Sequence, residues 1–120
     1  MRVVHVFDAK TETLRNTIAI DGAPGEANQL RRVRVSPDGA YVCASSHVDD
    51  FAAIYRADTL EQVGGFGTPK APMGFGFAAD GRHAYLCCHD AAITLEFDLA
   101  SGKITRQFPT AAGCEFVISY

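Results

Sequence analysis

The chain contains an internal repeat, and this repeat limits the folds that the sequence can adopt. Asp38 and Asp80 stand at equivalent points of two successive repeats, and each is followed by a glycine and then by an apolar stretch. Three other apolar stretches end in an aspartate and run into a polar link: residues 3–8, 53–58 and 93–98. All of these features recur at intervals of roughly 40 to 50 residues, so the chain repeats one supersecondary unit along its length.

These stretches have the period of two that is typical of half-buried β-strands. Counting back from Asp8, the alternate positions are Phe7, His5 and Val3, and the other two stretches also place largely apolar residues there. We therefore expect this set to face the interior, with His5 as an interior histidine. In each Asp-Gly pair, the glycine can adopt the left-handed backbone conformation with which the chain leaves a tight hairpin turn. No segment has a helical period or a capping box, so the sequence predicts an all-β fold.

The aspartates that end the three stretches have a structural interpretation. Asp8, Asp58 and Asp98 each stand at the start of a short polar link. An aspartate in this position accepts hydrogen bonds from the backbone N–H groups of its own turn. We predict this role for all three, in preference to a catalytic one.

Four-stranded sheets that recur roughly every 40 to 45 residues are the blades of a β-propeller. We name the strands of a blade A to D, outward from the axis of the ring. The sequence predicts strands C and D of a first blade over residues 1–20, a second blade over residues 29–67 and a third over residues 72–109. Residues 113–120 are predicted to be the first strand of a further blade. The whole chain, residues 1–120, is thus expected to be a partial β-propeller of four-stranded antiparallel blades.

An arc of two to three blades leaves strands that can pair with other chains. We therefore expect the remaining blades to be the partners of this chain. They would come from the same longer protein chain or from copies of this one. A longer chain is favoured, because the sequence begins abruptly in a C strand.

Residues 36–42, 80–86 and 97–104 resemble the YVTN-type repeat of the seven-bladed propellers that are grouped with the quinoprotein amine dehydrogenases. The resemblance covers nearly all of the chain and implies the C-terminal portion of a seven-bladed ring. It also implies a protein that is often periplasmic and that binds ligands or partners at the loop-bearing end of the axis. The chain departs from the family in length, because it holds only two to three blades. It contains no tryptophan, so the Trp-Asp signature of WD repeats is absent.

Composition argues against several classes of function. The net charge of −3 gives no electrostatic footprint for nucleic acid. No apolar run approaches the roughly 20 residues that a membrane helix needs, so no membrane span is expected. The first residues reach Asp8 too soon for a signal peptide. We expect a periplasmic or secreted location if a longer natural chain carries a signal peptide, and a cytoplasmic one otherwise.

The four cysteines show no C-x-x-C spacing, which argues against a zinc site or a thioredoxin-like motif. They are Cys43, Cys87, Cys88 and Cys114. Cys87 and Cys88 are neighbours on a predicted strand, where consecutive side chains point to opposite faces. We interpret all four as small buried apolar residues.

His47 and His89 occupy the same position of successive blades, where strand B enters the link to strand C. Acids follow both, namely Asp49 and Asp50 in the first case and Asp90 in the second. A histidine beside a carboxylate can bind a metal or transfer protons. However, equivalent residues of adjacent blades diverge from the axis, and a histidine at a strand end also bonds backbone or water. We therefore predict the two histidines as ligand-binding residues and assign no metal site.

Arg32 and Arg34 alternate with two valines on a predicted A strand, the strand nearest the axis. Side chains of one parity share a face, so both guanidinium groups can point towards the channel. There they could bind an anion or the carboxylate of a partner. The alternative is that they are solvated or form salt bridges with the next blade.

These observations predict a propeller scaffold that binds a protein partner or a small ligand through loops at one end of the ring. No catalytic residue and no cofactor is assigned, because the chain shows no nucleophile motif and no phosphate-binding glycine loop. The alternative is a share of a propeller enzyme, either a lactonase-like hydrolase or a quinoprotein-type dehydrogenase. Its other site residues would then lie outside this chain.

Overall fold

The computed structural model describes residues 3–19 and 32–118, and these residues form ten strands and no helix. The predicted all-β class is therefore confirmed. The strands are β1 (Val3–Asp8), β2 (Thr13–Ala19), β3 (Arg32–Val35), β4 (Tyr41–Ser46), β5 (Phe51–Arg56), β6 (Gln62–Gly67), β7 (Pro72–Phe77), β8 (His83–Cys88), β9 (Ile93–Asp98) and β10 (Ile104–Pro109). This part of the chain accordingly offers no helix long and apolar enough to cross a membrane.

The strands form two four-stranded sheets and one hairpin, and every pair of neighbours is antiparallel. The first sheet has the order β3-β4-β5-β6, the second has the order β7-β8-β9-β10, and the hairpin is β1-β2. In each sheet the chain moves to the adjacent strand at every turn, as a meander. Between the sheets, β7 contacts β3 and β4. The strands predicted as A strands, β3 and β7, therefore approach each other, and we call their common border the axial edge.

Tight turns join the first two strands of each sheet. The Gly39 amide donates to the Ser36 carbonyl at 2.8 Å, and Gly39 has a φ of 73°. In the second sheet, the Gly81 amide donates to the Ala78 carbonyl at 3.3 Å, and Gly81 has a φ of 67°. A positive φ costs glycine little because it has no Cβ atom. The two predicted Asp-Gly hairpin turns are therefore confirmed.

The turn role of the three link aspartates is also confirmed. Asp8 accepts hydrogen bonds from the amides of Lys10 and Thr11 at 2.8 and 3.0 Å. Asp58 accepts one from Thr59 at 2.9 Å, and Asp98 accepts one from Ser101 at 2.9 Å. Each carboxylate thus satisfies backbone donors of the turn that it starts.

The main core lies between the two four-stranded sheets. Alternate residues of each strand point into it, because successive side chains of a strand face opposite sides. Its largest fully buried side chains are Ile54, Phe75, Leu86, Leu95, Phe97 and Leu99. The ring centroids of Phe66 and Phe97 lie 5.4 Å apart, and those of Phe75 and Phe97 lie 6.2 Å apart. Aromatic packing thus joins both sheets to one core.

The hairpin packs on the opposite face of the first sheet, and here one expectation is wrong. Val4 and Ile18 are buried against a cluster that includes Ala53 and Tyr55 of β5. The set expected inside contains Phe7, which is 61 % exposed, and His5, which is also exposed. The predicted alternation of buried and exposed residues in β1 was correct, but the buried face is the opposite of the predicted one. A strand with apolar residues on both faces does not reveal which face meets its neighbour.

Residues 113–118 were expected to begin a further blade, and the structure assigns no strand to them. They lie along β7, where the missing side chains of Gly74 and Gly76 leave room for their backbone. A β-strand is defined by ladder hydrogen bonds to a neighbour, and no strand of the described residues pairs with this segment. Residues 1–2, 20–31 and 119–120 lie outside the described residues, and they include ends of the predicted first, second and further blades.

Candidate functional site

The axial edge carries both arginines that the sequence singled out. In the β3–β4 ladder, Arg32 is opposite Ser45 and Arg34 is opposite Cys43. Directly opposite residues share a face of a sheet, and Cys43 belongs to the core between the two sheets. Both arginines therefore lie on the side of β3 that faces the second sheet. Arg34 is exposed and Arg32 is partly buried.

The guanidinium group of Arg32 contacts an aromatic ring of the 113–118 segment. Its Cζ atom lies 5.3 Å from the centroid of the Phe116 ring, a cation–π distance. The Nε atom of Arg32 is buried and has no hydrogen-bond partner among the described residues. Burying a donor on a charged group without a partner is unfavourable. The side chain is thus held by an aromatic face while one of its donors stays unsatisfied.

Arg34 lines a groove of about 370 Å³ beside the same segment. The other residues of the groove are Pro37, Gly76, Phe77, Phe116, Val117 and Ile118. Gly76 is essential to this shape, because a Cβ atom there would stand 2.7 Å from the Cβ atom of Val117. The groove therefore combines an apolar wall with one guanidinium group.

Three other arginines of the chain form ion pairs within the described residues. Arg56 pairs with Asp58 at 2.9 Å, Arg82 with Asp98 at 2.6 Å and Arg106 with Glu96 at 2.7 Å. Each carboxylate raises the pKa of its arginine through a hydrogen bond and its charge.

Arg32 and Arg34 differ from these three, because neither has a carboxylate partner in residues 3–19 and 32–118. The sequence analysis gave salt bridges between these two arginines and the next blade as an alternative. The described residues form no such salt bridge. The axial edge thus carries two guanidinium groups that have no carboxylate partner within the described residues, beside an apolar surface.

The two histidines lie at one end of the sheets, where the links 47–50, 68–71 and 89–92 come together; we call this the link end. Nδ1 of His89 lies 2.7 Å from a carboxylate oxygen of Asp90. Nδ1 of His47 is buried and has no hydrogen-bond partner among the described residues. The two residues are equivalent in the repeat but differ in their contacts.

The acids that follow His47 are bound to other groups. Asp49 accepts a hydrogen bond from the Ser46 hydroxyl at 2.7 Å, and Asp50 accepts one from the Ala71 amide at 2.8 Å. Among the described residues, no three His, Cys, Asp or Glu side chains converge in a way that could hold a metal ion. The link end therefore offers single polar atoms rather than a chelating set.

Sequence reasoning missed two residues that the structure brings to these surfaces. Phe116 packs on Arg32, and the Cys114 thiol lies 3.9 Å from the Thr94 hydroxyl on the second sheet. The available signal was the prediction that residues 113–120 form the first strand of a further blade. It places the segment beside the second sheet, but it does not give the contacts of individual side chains.

Comparisons with solved structures bear on the fold. The chain matches hydrazine synthase of Kuenenia stuttgartiensis with a TM-score of 0.81 and 19 % identity, over 96 % of this chain and 32 % of that one. It matches a candidate 6-phosphogluconolactonase of Bacteroides fragilis with a TM-score of 0.74 and 22 % identity, over 95 % of this chain and 34 % of that one. Both of these structures contain β-propellers. The chain consists of β-propeller blades.

A third match is the dihydro-heme d1 dehydrogenase NirN, solved in complex with DHE, with a TM-score of 0.74 and 18 % identity. It covers 92 % of this propeller chain and 22 % of NirN. No protein-family model and no curated protein sequence matches the chain. The propeller segment thus spans about a third or less of the length of each of these structures.

Proposed function

We propose that this chain is part of a larger propeller that works as a binding scaffold without catalysis of its own. Its ligand-binding residues are Arg32 and Arg34, which receive an anionic group, such as a carboxylate, of a protein partner or small ligand at the axial edge. The observation that carries this proposal is the pair of guanidinium groups beside the groove, neither of which has a carboxylate partner in residues 3–19 and 32–118. His47 and His89 contribute polar contacts at the link end.

A carboxylate suits this site for physical reasons. A guanidinium group presents its donors in a planar fork that matches the two oxygens of a carboxylate. The Nε donor of Arg32 is already buried in the protein without ligand. Part of the free energy needed to remove this group from water is therefore spent before a ligand binds. The apolar side chains of Phe77, Phe116 and Val117 line the same groove as Arg34. An anion bound there would be screened less than one at an open surface.

We place the chain in a seven-bladed ring of the YVTN type. The Asp-Gly turns at equivalent positions of the repeat and the two four-stranded sheets support this assignment. The remaining blades would be supplied by a longer chain or by further copies. They would complete the walls around the axial edge and add groups to the anion site.

The alternative is that the chain is part of a propeller enzyme, and two of the structural matches carry the names of enzymes. One is a candidate 6-phosphogluconolactonase and another is a dihydro-heme d1 dehydrogenase. In that case Arg32 and Arg34 would hold an anionic substrate while the reacting groups lay in other blades. Hydrolysis of 6-phosphogluconolactone by a preparation containing the whole ring, and its loss in Arg34→Ala, would favour the enzyme over the scaffold.

Succinate, a dicarboxylate, is a suitable probe of the anion site. The thermal midpoint of the full chain is measured in increasing succinate and in sodium chloride of equal ionic strength. A ligand that binds the folded state raises the midpoint, so succinate should raise it more than chloride does. The additional rise should be lost in Arg34→Ala and partly kept in Arg34→Lys.

Arg15→Ala is the matched control, because it removes one exposed positive charge from β2, away from the axial edge. It should keep the response to succinate. If Arg34→Ala and Arg15→Ala respond alike, the arginines of β3 are not the binding residues and the proposal is wrong.

A further inference from the structure

Cys87 lies on the face of the second sheet that points away from the first sheet. Its neighbour Cys88 points into the core between the sheets, because consecutive residues of β8 face opposite sides. In the ladder, Cys87 is directly opposite Thr94 of β9. On its other side, the Cys87 thiol donates to the carbonyl of Gly74 of β7 at 3.4 Å. Cys87 therefore lies in the middle of the outer face, between Gly74 and Thr94.

Residues 114–115 cross the sheet at this same place. The Sγ atom of Cys114 lies 3.9 Å from Oγ1 of Thr94. The carbonyl of the next residue, Glu115, lies where a Cβ atom of Gly74 would stand. The backbone thus runs from above Thr94 to above Gly74, and Cys87 lies beneath it.

Burial and thiol chemistry agree with this placement. Cys87 is fully buried although it points away from the main core, and Cys114 is partly exposed. The pKa of the Cys87 thiol is raised to about 12, first by burial and second by a hydrogen bond with the Cys114 thiol. Both thiols are reduced in this structure.

We propose that Cys87 and Cys114 are a redox-sensitive pair that forms a disulfide bond with a low-molecular-weight disulfide, such as oxidised glutathione, as oxidant. The bond would fasten the 113–118 segment to the outer face of the second sheet. This assigns a modification site to one cysteine of β8 and one cysteine of that segment. It does not depend on the anion site.

The chemistry proceeds in two thiol–disulfide exchanges. The Cys114 thiolate, which solvent reaches first, attacks one sulfur of the oxidised glutathione and releases one glutathione thiolate. The Cys87 thiol then loses its proton to solvent and attacks the Cys114 sulfur of the mixed disulfide, which releases the second glutathione. Two protein thiols are oxidised to one disulfide, and one glutathione disulfide is reduced to two thiols. The high pKa of Cys87 makes it a poor first nucleophile, so the order follows from burial.

The bond would act as a covalent link between successive parts of the propeller. The 113–118 segment lies where the sequence predicts the next blade to begin, and the disulfide would hold it against the preceding one. In an oxidising compartment the pair would be closed, whereas in a reducing cytoplasm it would stay open. The stability of the contact between Phe116 and Arg32 at the axial edge would then depend on the redox state.

The test is to treat the folded full chain with oxidised glutathione, block remaining thiols with an alkylating reagent and map the peptides by mass spectrometry. The expected result is an intramolecular peptide linked through Cys87 and Cys114, with Cys43 and Cys88 recovered alkylated after denaturation. Oxidation should raise the thermal midpoint by several degrees, because the disulfide closes a loop in the unfolded chain. Reduction should reverse the rise.

The variants Cys114→Ser and Cys88→Ser separate the proposed pair from accidental oxidation. Cys114→Ser should give no linked peptide and no rise of the midpoint, and we expect it to fold because Cys114 is partly exposed. Cys88→Ser should keep the linked peptide; if it does not fold, the alkylation of Cys88 in the oxidised unmutated chain answers the same question. Recovery of Cys87 as a singly alkylated peptide after oxidation would overturn the proposal. Disulfide bonds that form only between different chains, through Cys114, would overturn it as well.

Discussion

The carboxylate of Asp50 accepts a hydrogen bond from the backbone amide of Ala71, with 2.8 Å between Oδ1 and the nitrogen. Asp50 lies in the link between β4 and β5, and Ala71 directly precedes the first strand of the second sheet. The Asp50 carbonyl also accepts from the Thr68 amide at 2.8 Å, and the Ala71 carbonyl accepts from the His89 amide at 2.8 Å. The bond between Asp50 and Ala71 thus connects the two blades at the link end, and the other two bonds hold the links of each blade.

Replacing Asp50 should therefore loosen the connection between the blades. Asp50→Ala removes the acceptor and also leaves an alanine at a φ of 49°, which is unfavourable for a residue other than glycine, asparagine or aspartate. We expect a loss of about 1–3 kcal/mol in the free energy of unfolding, measured by urea denaturation. Asp50→Asn should lose less, because its amide oxygen still accepts and asparagine tolerates this φ.

Asp90→Ala is the control for this experiment, because Asp90 is exposed and pairs only with His89 within the described residues. It should change the free energy of unfolding by about 0.5 kcal/mol or less. An Asp50→Ala midpoint equal to that of the unmutated chain would show that the amide of Ala71 finds another partner at no cost.

The link end shows how far the repeat predicts structure. Ala92 occupies the place of Asp50 in the next repeat, with a similar φ of 53°, and its carbonyl accepts from the Thr110 amide at 2.8 Å. The backbone arrangement thus follows from the repeat, as do the Asp-Gly turns and the sheets. The carboxylate contact does not repeat, because alanine has no side-chain acceptor; instead the Gly113 amide donates to the His89 carbonyl at 3.2 Å.

What the sequence could not predict depends on contacts between distant segments. The position of Cys114 above Cys87 requires the absent side chain of Gly74, which leaves room for the backbone of Glu115. A glycine in a strand pattern indicates a close approach, but it does not identify the group that approaches. The exposed face of β1 was mispredicted for a related reason, since Phe7 and Val4 are both apolar and only the neighbouring sheet decides which is buried.

The ion pair between Arg82 and Asp98 should make stability depend on pH. Arg82 donates to Asp98 at 2.6 Å, and this bond, followed by that from the Ser101 amide, lowers the pKa of Asp98 to about 2. A carboxylate with a lowered folded-state pKa stabilises the fold fully above its unfolded pKa of about 4 and loses this effect as the pH falls towards 2. Asp98→Asn should therefore be less stable than the unmutated chain near pH 6, and the difference should shrink towards pH 2.

Urea midpoints at a series of pH values measure this difference. Asp58→Asn is the matched control, because Asp58 also pairs with an arginine but its side chain is 62 % exposed, against 8 % for Asp98. Solvent screening should make its effect smaller. A difference between Asp98→Asn and the unmutated chain that does not change with pH would contradict the role of the charge.

Gly74→Ala should displace the 113–118 segment from the second sheet. The added methyl group would collide with the carbonyl of Glu115, and a backbone atom cannot move aside as a flexible side chain can. The Cys114 thiol should then react faster with a maleimide than it does in the unmutated chain. Gly67→Ala is the control, since a Cβ atom there has no heavy atom within 4 Å, and it should leave the reaction rate unchanged. Equal rates in both variants would mean that the segment does not depend on Gly74.

The outer face of the second sheet should make the isolated chain associate. A groove of about 540 Å³ there is lined by residues that include Tyr85, Phe108 and Ile118, and Ile118 is 76 % exposed. On the opposite flank of the molecule, Phe7 of the hairpin is 61 % exposed. A propeller buries such faces between adjacent blades, so an arc of blades presents apolar surface at both of its flanks.

Light scattering of the purified 120-residue chain should therefore give a mass that rises with concentration. Ile118→Glu should weaken this association, whereas Val48→Glu, at an exposed position of the β4–β5 link, should not. A monodisperse monomer at every concentration would show that the open flanks need no further blades.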